Sequence, residues 1–550
     1  MGSINQTTFK LREHTIENFR PSKVRIIGAG YSGIYLGIRI TQKLRNIDLQ
    51  IYEKNEGVGG TWWENRYPKT HSYQYSFEPN PSWSSFYAPA LEIRHYLENV
   101  AGKYGIMRFV RTRHQITQKY TVESLANGEV IEDETDILIV ATGPLNKIKW
   151  PKVNGLGSLK GALMHSAAWD ENYDFQNKRV GIIGGGSSSI QIVPQLQKIQ
   201  GAQLACFVRT RTWISNPFGE VAMQKLGLDP TNLDFTPEFR GKLASDPAAY
   251  LEFRKTIERD GSLFYHATLR NSEMQTMSRG MFTEMMRARL GKKPEIAYKL
   301  MPSFAPGCRR LTPGPGYLEA LVEDNVEFIT DEIDCVTEQG LRLASGREVP
   351  LDALVCATGF DLSASASFNA IGKDEVVLAT KSQPYLKTYL RCTTDDFPNY
   401  FMMLGPNSGG DYIVKCIRKL QKKDYVAMVP KKSRVQEVAD FVDEYFKRTV
   451  FTDDCNCWYK VGRGEGQRVI ALWPGSTQHC LEALRSPRWE DFDFESGEDN
   501  RLRWLGNGIS TANVPGGSDP AFYVDPGYVD TPPPGNPEDD PKYKMRPFSY

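Results

Sequence analysis

The sequence predicts an α/β fold with two Rossmann-like domains, the second of which carries a helical insertion. Three observations predict this fold class. A glycine-rich turn follows the short β-branched run at 24–27, and another follows residues 180–183. The apolar segments "DILIVATG" and "ALVCATGFD" both contain a strand pattern that ends in Ala-Thr-Gly. Short buried strands followed by such turns and by helices are typical of doubly wound parallel sheets.

Length, composition and charge place broad limits on the protein. The chain has 550 residues, of which 40% are hydrophobic and 24% are charged. This length favours about two to four domains, and the composition is sufficient for a large core. The formal net charge is +1, which argues against nucleic acid as a partner. The nine cysteines are scattered and odd in number, so we expect reduced thiols and not a disulfide framework.

The N-terminal extension, residues 1–21, is polar and lacks the apolar stretch of a signal peptide. Gly2 invites N-myristoylation, but that signal needs Ser or Thr where the sequence has Gln6. No apolar run approaches the roughly 20 residues that span a bilayer. The sequence therefore predicts a cytoplasmic protein without a membrane partner.

The first glycine-rich turn has the pattern G-x-G-x-x-G at Gly28, Gly30 and Gly33, with Ser32 inside it. The first glycine permits a tight turn, the second lets the backbone approach a pyrophosphate, and the third lets the helix pack on the strand. The next strand, "LQIYEK", contains Glu53, which is 53 − 33 = 20 residues past the third glycine. A carboxylate there accepts both ribose hydroxyls, so this site should prefer a dinucleotide with a free ribose diol.

The second turn repeats this pattern with one change of charge. Gly184 and Gly186 match the first two glycines, and the small Ser189 stands at the third position. The next strand, "QLACFVRTR", is predicted to end at Arg209, which is 209 − 189 = 20 residues past Ser189. Because a guanidinium can clamp a 2′-phosphate, this site should prefer NADP; the alternative for Arg209 is a solvated surface arginine. Neighbouring residues predicted to contact the same cofactor are Ser187, Ser188 and Thr210.

The Ala-Thr-Gly segments mark the borders of the domains, because such strands carry the chain between domains in two-dinucleotide flavoproteins. The predicted fold is a discontinuous FAD-binding domain with an NADP-binding domain inserted in it. Thr236-Pro237-Glu238 is a good helix start within the helical insertion, which is either a packed subdomain or a substrate-binding lid. The tail is rich in Pro, Gly and Asp and is predicted to be disordered. The predicted ranges are 22–160 and 360–505 for the FAD domain, 170–355 for the NADP domain, 217–303 for the helical insertion and 514–550 for the tail.

Four segments resemble one family. "GVGGTWWENRYP" at 57–68 resembles the flavin-contacting segment of class B flavoprotein monooxygenases, specifically of Baeyer–Villiger monooxygenases. "LKGALMHSAAWD" is similar to their fingerprint through Gly161, His165 and Trp169, although Leu159 replaces the leading Phe. "GCRRLTPGPGYLEAL" and "CWYKVG" also look like family segments, and the C-terminal half is similar to fungal secondary-metabolite members.

The resemblance implies roles for particular residues. Arg310 would be the catalytic cation, Arg309 would hold the NADP phosphate, and Trp458 would lie near the nicotinamide and the substrate. The alternatives are a solvated Arg-Arg pair before a Thr-Pro turn and a tryptophan that anchors its loop. His165 would be a hinge residue in the linker that enters the NADP domain, or a histidine merely packed there, and Trp169 would pack. The flavin-contacting residues would be Gly60, Thr61, Trp62, Trp63 and Glu64.

The resemblance implies a reaction in which NADPH reduces bound FAD and the reduced FAD then reacts with O2. A C4a-peroxyflavin would convert a bulky ketone of the polyketide type into an ester or lactone. No His, Cys or carboxylate cluster has metal-ligand spacing, so we expect no metal. The expected partners are a small-molecule ketone and O2, with the protein a monomer or weak oligomer.

The sequence departs from the family at two places. After Pro68 it lacks the Gly and the Cys-Asp pair of the family, including the Asp that would pair with the catalytic Arg. After "FMMLGPNS" the loop into the next helix is short, and we expect Asp411 to cap that helix. Three alternatives therefore stay open: an N- or S-oxygenating class B enzyme, an impaired FAD/NADP-binding homologue, and an NADPH oxidase that releases peroxide.

Overall fold

A computed structural model describes residues 10–64, 74–118, 121–216, 220–229, 232–361, 368, 370–403, 408–461, 467–515, 517 and 519–525. The segment that follows Pro68 and most of the predicted disordered tail, residues 526–550, lie outside this range. Residues 511–513 and 522–524, within the described part of the C-terminal region, form short 3-10 helices. The predicted domain boundaries stay a prediction.

The described residues form twenty strands: β1 Ser22–Ile27, β2 Ile47–Tyr52, β3 Val110–Arg111, β4 His114–Gln118, β5 Thr121–Ser124, β6 Val130–Glu132, β7 Ile137–Val140, β8 Ala162–His165, β9 Arg179–Ile183, β10 Gln203–Phe207, β11 Ile214–Ser215, β12 Thr312–Pro313, β13 Val326–Ile329, β14 Ile333–Thr337, β15 Gly340–Leu343, β16 Glu348–Pro350, β17 Ala353–Cys356, β18 Tyr400–Met402, β19 Tyr425–Pro430 and β20 Phe492–Ser496. The α-helices of the same residues are α1 Tyr31–Lys43, α2 Thr61–Glu64, α3 Ala90–Lys103, α4 Ser187–Leu196, α5 Glu220–Lys225, α6 Pro237–Ser245, α7 Pro247–Ala267, α8 Glu273–Arg289, α9 Pro294–Leu300, α10 Tyr317–Leu321, α11 Leu378–Lys381, α12 Ser408–Lys423, α13 Lys432–Lys447 and α14 Thr477–Ala483. No helix of this set is both long and apolar enough to cross a membrane.

Two five-stranded parallel sheets form the centre of the fold. The first has the order β18-β7-β1-β2-β3 and the second the order β13-β10-β9-β17-β8. Apolar residues of β1 and β9, such as Ile26 and Ile182, are completely buried, as expected for strands covered on both faces. The predicted α/β class with two Rossmann-like sheets is therefore confirmed.

Both glycine-rich turns are supported by the same backbone contacts. The N–H of Ala141 donates to the carbonyl of Ile27, and the N–H of Ala357 donates to that of Ile183, each at 2.8 Å. A Cβ on Gly28 would lie 2.7 Å from the Ala141 oxygen, and one on Gly184 would lie 2.4 Å from the Ala357 oxygen. Each Ala-Thr-Gly segment thus follows a strand adjacent to its turn and leaves no room for a side chain at the first glycine.

The two connections between the sheets pair with each other. The N–H of Lys149 donates to the Gly359 carbonyl at 3.0 Å, and the N–H of Asp361 donates to the Lys147 carbonyl at 2.8 Å. The Thr358 hydroxyl donates to the Lys149 carbonyl at 2.6 Å. The outgoing and returning chains therefore form a short two-stranded ribbon between the domains.

The predicted helical region contains α5 to α9. The predicted start of α6 is confirmed, because the Thr236 hydroxyl accepts from the N–H of Phe239 at 3.2 Å. Before α6 the chain pairs with the first part of the sequence, since the N–H of Phe86 donates to the Leu233 carbonyl at 2.7 Å. The insertion is therefore docked against residues that precede α3.

Three expectations from the sequence are wrong in detail. Cys308 and Cys455 form a disulfide, so two of the cysteines are not reduced thiols. His165 does not lie in a linker but ends β8, the edge strand of the second sheet. The strand predicted to end at Arg209 ends at Phe207, which is the last residue of β10 that pairs with β9 and β13.

Candidate active site

One cavity of about 1680 Å³ extends from the first glycine-rich turn to the second. Both connections of the interdomain ribbon contribute to its wall through Thr142, Gly143, Thr358 and Gly359. The predicted site residues that line it are Gly28, Gly30, Ser32, Glu53, Gly60, Thr61, Trp62, Glu64, Gly186, Ser187, Ser188, Arg309, Arg310 and Trp458. The fold thus brings together most of the residues that the sequence singled out, from segments that are hundreds of positions apart.

The first turn presents uncovered backbone at the start of α1. Gly30 is the N-cap residue, and no side chain caps the helix there. A Cβ on Gly33 would lie 1.9 Å from the Gly28 oxygen, so only glycine allows the helix to pack this closely on the turn. The positive end of the α1 dipole lies at the cavity wall, where Tyr31 and Ser32 line it, and this is the arrangement that binds a phosphate group.

Glu53 lies just after β2 and is 4% exposed. Its two carboxylate oxygens accept from the N–H groups of Ala29 at 2.7 Å and Asn55 at 2.9 Å. Burial raises the pKa of Glu53, and these two backbone donors partly offset the rise. Each oxygen has a second lone pair, so the carboxylate is held in place and can still accept from a ribose hydroxyl.

The segment that contains α2 closes over the first turn. A Cβ on Gly60 would lie 2.9 Å from the Gly30 Cα, and Gly60 has a φ of +55°. Thr61, Trp62 and Glu64 line the cavity, whereas Trp63 is not part of its described wall. The Trp63 ring instead lies under the Arg94 guanidinium, whose carbon is 4.0 Å from the ring centroid.

The second turn is built in the same way at the start of α4. Gly186 is the N-cap residue without a side-chain cap, and Ser187 and Ser188 line the cavity. The Ser187 and Thr312 hydroxyls are hydrogen-bonded at 2.6 Å. Ser189 is fully buried and lies outside the cavity wall, as its predicted packing role requires.

A cation lies over this second helix terminus. The Arg309 Nη2 atom is 3.4 Å from the position that a Cβ on Gly186 would occupy, and Arg309 Nη1 is buried without a hydrogen-bond partner among the described residues. Burial lowers the pKa of Arg309, and the nearest opposing influences come from Cys457 and Tyr459. A guanidinium whose Nη1 has no partner among the described residues, beside the N-terminus of a helix, has the chemistry of an anion site. Arg310 follows in the chain and is exposed to the same cavity.

Arg209 and Thr210 lie outside the described wall of the cavity. Arg209 is exposed, two residues beyond the end of β10. The Thr210 carbonyl approaches the turn from behind, 3.3 Å from the position of a Cβ on Gly185. Their predicted contact with the cofactor phosphate stays a prediction.

The loop that carries Trp458 is bonded to the segment that carries Arg309 and Arg310. Trp458 lines the cavity, and its ring lies 5.7 Å from that of the buried Tyr459. The Tyr459 hydroxyl donates to the Cys308 carbonyl. This contact and the disulfide place the loop directly against the residues that precede Arg309.

None of the three fingerprint residues lines the cavity, and one of them, His165, packs against the interdomain ribbon. His165 is fully buried, its ring centroid is 5.5 Å from that of Trp150 and 6.2 Å from that of Phe360, and its Nδ1 accepts from the N–H of Ala167 at 3.1 Å. Burial lowers the pKa of His165, and the Gly359 backbone partly offsets this. A Cβ on Gly161 would lie 2.4 Å from the Asp352 oxygen, and Trp169 stacks on Phe175.

Asp411 does not cap α12, which begins three residues before it. Its carboxylate accepts from the Tyr35 hydroxyl at 3.0 Å and from Arg39 Nε at 2.8 Å, both on α1. None of the described residues of α12 lines the cavity. The negative charge of Asp411 is therefore paired with side chains of α1, outside the cavity wall.

Several cavity residues were not singled out from the sequence. Gln191 and Thr312 line the second turn, Lys460 lines the Trp458 loop, and Asn232 and Asp234 come from the chain before α6. Lys460 belongs to the quoted segment "CWYKVG", which was the available signal. The residues before α6 carry no pattern, because their place at the cavity depends on the docking of the insertion.

Two helix-terminal anion sites that share one cavity define the class of a two-dinucleotide oxidoreductase, and comparisons with known proteins agree. The profile of the pyridine nucleotide-disulphide oxidoreductases matches residues 22–226. The FAD-binding monooxygenase tazF of Aspergillus terreus is 34% identical over 94% of this chain and 97% of its own length. A Baeyer-Villiger monooxygenase of Pseudomonas aeruginosa is 28% identical over 83% of this chain and 88% of its own.

Solved structures extend the comparison. The crystal structure of OTEMO in complex with FAD and NADP has a TM-score of 0.71 at 25% identity, over 86% of this chain and 99% of that chain. Cyclohexanone monooxygenase from a Rhodococcus species, bound to NADP+, has a TM-score of 0.72 at 24% identity and shows the same fold over 87% of this chain and 100% of that chain. The chain belongs to the FAD-dependent Baeyer–Villiger monooxygenases, a family of class B flavoprotein monooxygenases.

Proposed function

We propose that the protein uses NADPH and O2 to convert a bulky ketone of the polyketide type into an ester or lactone. The observation that carries this proposal is the single cavity that joins the two glycine-rich turns to Arg310 and Trp458. Hydride transfer between two cofactors and oxidation of a third molecule require one shared, enclosed space. Tests of substrate and cofactor preference follow from this arrangement.

The residues fit both cofactors. FAD would be held at Gly28–Gly30 and the α1 terminus, with Glu53 on the ribose and Gly60–Trp62 against the flavin side. NADPH would be held at Gly186–Ser188, with Arg309 on a phosphate. When bound, FAD supplies the redox chemistry with O2 that no side chain can supply.

Arg310 has the properties that ketone oxygenation needs from the protein. Negative charge develops on the ketone oxygen when its carbonyl is attacked, and a preorganised cation stabilises that charge. A guanidinium provides a permanent positive charge and several N–H donors in a fixed planar geometry. Trp458, on the facing loop, would exclude water and orient the substrate.

The test is the spectrum and product pattern of purified, FAD-loaded protein. NADPH should bleach the flavin absorbance without air, and a ketone should yield an ester in air. Arg310→Ala should abolish the ester but leave flavin reduction within about threefold of wild type, whereas Arg211→Ala, an exposed arginine outside the cavity, should change neither.

Other outcomes would overturn the proposal. Exclusive sulfoxide or N-oxide formation from a mixed panel would indicate an N- or S-oxygenating enzyme. Peroxide equal to the NADPH consumed would indicate an oxidase. Flavin binding without NADPH oxidation would indicate an impaired homologue.

A further inference from the structure

The Cys308–Cys455 disulfide joins two segments that both reach the cavity. We call these the arginine segment, residues 305–310, and the tryptophan loop, residues 453–461. The two cysteines are 147 positions apart in sequence, and they are 0% and 2% exposed. The other seven cysteines are free. The disulfide is therefore a specific, buried connection.

The two segments are also linked by hydrogen bonds around the disulfide. The N–H of Ala305 donates to the Asp453 carboxylate at 2.9 Å, and the Tyr459 hydroxyl donates to the Cys308 carbonyl. Arg270, which follows α7, forms an ion pair with Asp453 at 2.8 Å. These contacts should keep the segments close when the disulfide is absent, but they leave more freedom than a covalent bond.

The connection is close to the groups on which the proposed chemistry depends. Arg309 and Arg310 directly follow Cys308, and Trp458 is three residues after Cys455. All three side chains line the cavity, whereas neither cysteine does. The disulfide therefore touches neither cofactor nor substrate, and any effect on the reaction must pass through the residues beside it.

We propose that Cys308 and Cys455 are positioning residues whose disulfide fixes Arg310 and Trp458 relative to each other across the cavity. The functional part of this inference rests on the proposed oxygenation, but the connection itself does not. Loss of the disulfide lets the two walls separate, so NADPH oxidation continues while ester formation fails more often. A displacement of about 1 Å at a catalytic group can lower the rate about a hundredfold.

The redox state of this disulfide has a defined chemistry. A small dithiol reduces it by transferring two electrons and two protons, which breaks the S–S bond, yields two thiols and leaves the dithiol as a disulfide. The attack requires a thiolate to reach one sulfur in line. Because both cysteines are buried, the folded protein protects the bond, and this explains how a disulfide persists in a chain whose other cysteines are reduced.

The experiment compares the wild type with the double variant Cys308→Ser/Cys455→Ser. Cys335→Ser is the control, because Cys335 is free and lies in β14, outside the cavity wall. A thiol count on the unfolded wild type should give seven of nine. Backbone amides of both segments should exchange at least tenfold faster in the double variant. The ratio of ester to NADPH consumed should fall about three- to tenfold. If this variant does not fold, the double variant Cys308→Ala/Cys455→Ala takes its place, because both positions are buried and an alanine there places no polar group in the core.

The ratio of ester formed to NADPH consumed distinguishes a loss of positioning from a loss of folded protein. A smaller folded fraction lowers NADPH oxidation and ester formation equally, so their ratio stays constant. Nine free thiols in the wild type, or unchanged exchange in the double variant, would overturn the connection. An unchanged ester-to-NADPH ratio, or reduction of the disulfide by NADPH without air, would overturn its positioning role. A wild type that oxidises no NADPH would refute the proposed function, while the thiol count and exchange would still decide the connection.

Discussion

Replacing Arg309 by Met should weaken NADPH binding and at the same time stabilise the cofactor-free protein. Arg309 lies over the start of α4, where its Nη2 is 3.4 Å from the position of a Cβ on Gly186. Its Nη1 is buried and has no hydrogen-bond partner among the described residues. The same guanidinium thus destabilises the protein when no anion is bound and stabilises the bound anion when one is present.

Both effects can be given a magnitude. A buried donor left without a partner costs about 1–3 kcal/mol, and Met retains most of the apolar packing of the arginine stem, so the free energy of unfolding should rise by about this amount. If a chain of this length unfolds as one unit, the rise corresponds to about 1–3 °C in Tm. The lost charge-assisted hydrogen bonds to a phosphate are worth about 1.5–3 kcal/mol, which raises the Kd for NADPH about 10- to 150-fold.

The assay pairs thermal unfolding of the NADPH-free protein with an anaerobic titration of NADPH into the FAD-loaded protein. Arg309→Lys retains a charge but not the forked donor geometry, so it should recover part of the affinity. Arg211→Met is the control and should change neither value, since Arg211 is exposed and outside the cavity wall. An Arg309→Met protein that binds NADPH as the wild type does, or that unfolds at a lower temperature, would refute the assignment of this anion site.

Three further predictions follow from single contacts. Gly60→Ala should destabilise the protein by about 1–2 kcal/mol and lower FAD retention, measured as flavin absorbance per protein. The reason is that Gly60 has a φ of +55° and that a Cβ added to it would lie 2.9 Å from the Gly30 Cα. Gly102→Ala is the control, because the space around Gly102 is open. Asp352→Asn should lower the free energy of unfolding by at most about 1 kcal/mol near pH 7, because the bonds from Arg179 lower the pKa of Asp352 to about 2. The difference between wild type and variant should shrink as the pH falls below 4, and a difference that stays constant would contradict this prediction. Burial lowers the pKa of His165, so the wild type should lose stability below pH 6.5, by up to about 1.4 kcal/mol per pH unit. His165→Gln should lose less stability between pH 7 and pH 5, and urea unfolding at these two pH values measures the difference.

The glycine-rich turns could be predicted because their requirements are local. Each requirement has a fixed position along the chain: a first glycine next to an adjacent strand, a helix terminus without a cap, and a carboxylate after the next strand. The structure places Gly28, Gly30 and Glu53 at the cavity accordingly. The segment "GCRRLTPGPGYLEAL" was identified instead by its resemblance to the family, and Arg309 and Arg310 reach the cavity from it.

The remaining site could not be predicted because it depends on direction and on long-range contacts. Trp62 and Trp63 are neighbours on α2, where successive side chains point about 100° apart, so only one of them faces the cavity. The spacing that placed Arg209 after its strand contains no information on where that strand stops. Similarly, no pattern relates Cys308 to Cys455, which are 147 positions apart.

The position of His165 explains how one buried residue can affect a cavity that it does not touch. Its ring packs against Trp150 and Phe360, which lie on the outgoing and the returning chain of the interdomain ribbon. Thr358 and Gly359, in the same ribbon, line the cavity between the two glycine-rich turns. The N–H of Ala167 donates to His165 Nδ1, which requires an unprotonated Nδ1, and burial favours this neutral form. A change at His165 should therefore alter the packing of both chains that connect the two glycine-rich turns. That the histidine acts through the relative orientation of these turns, and not through proton transfer, stays a prediction.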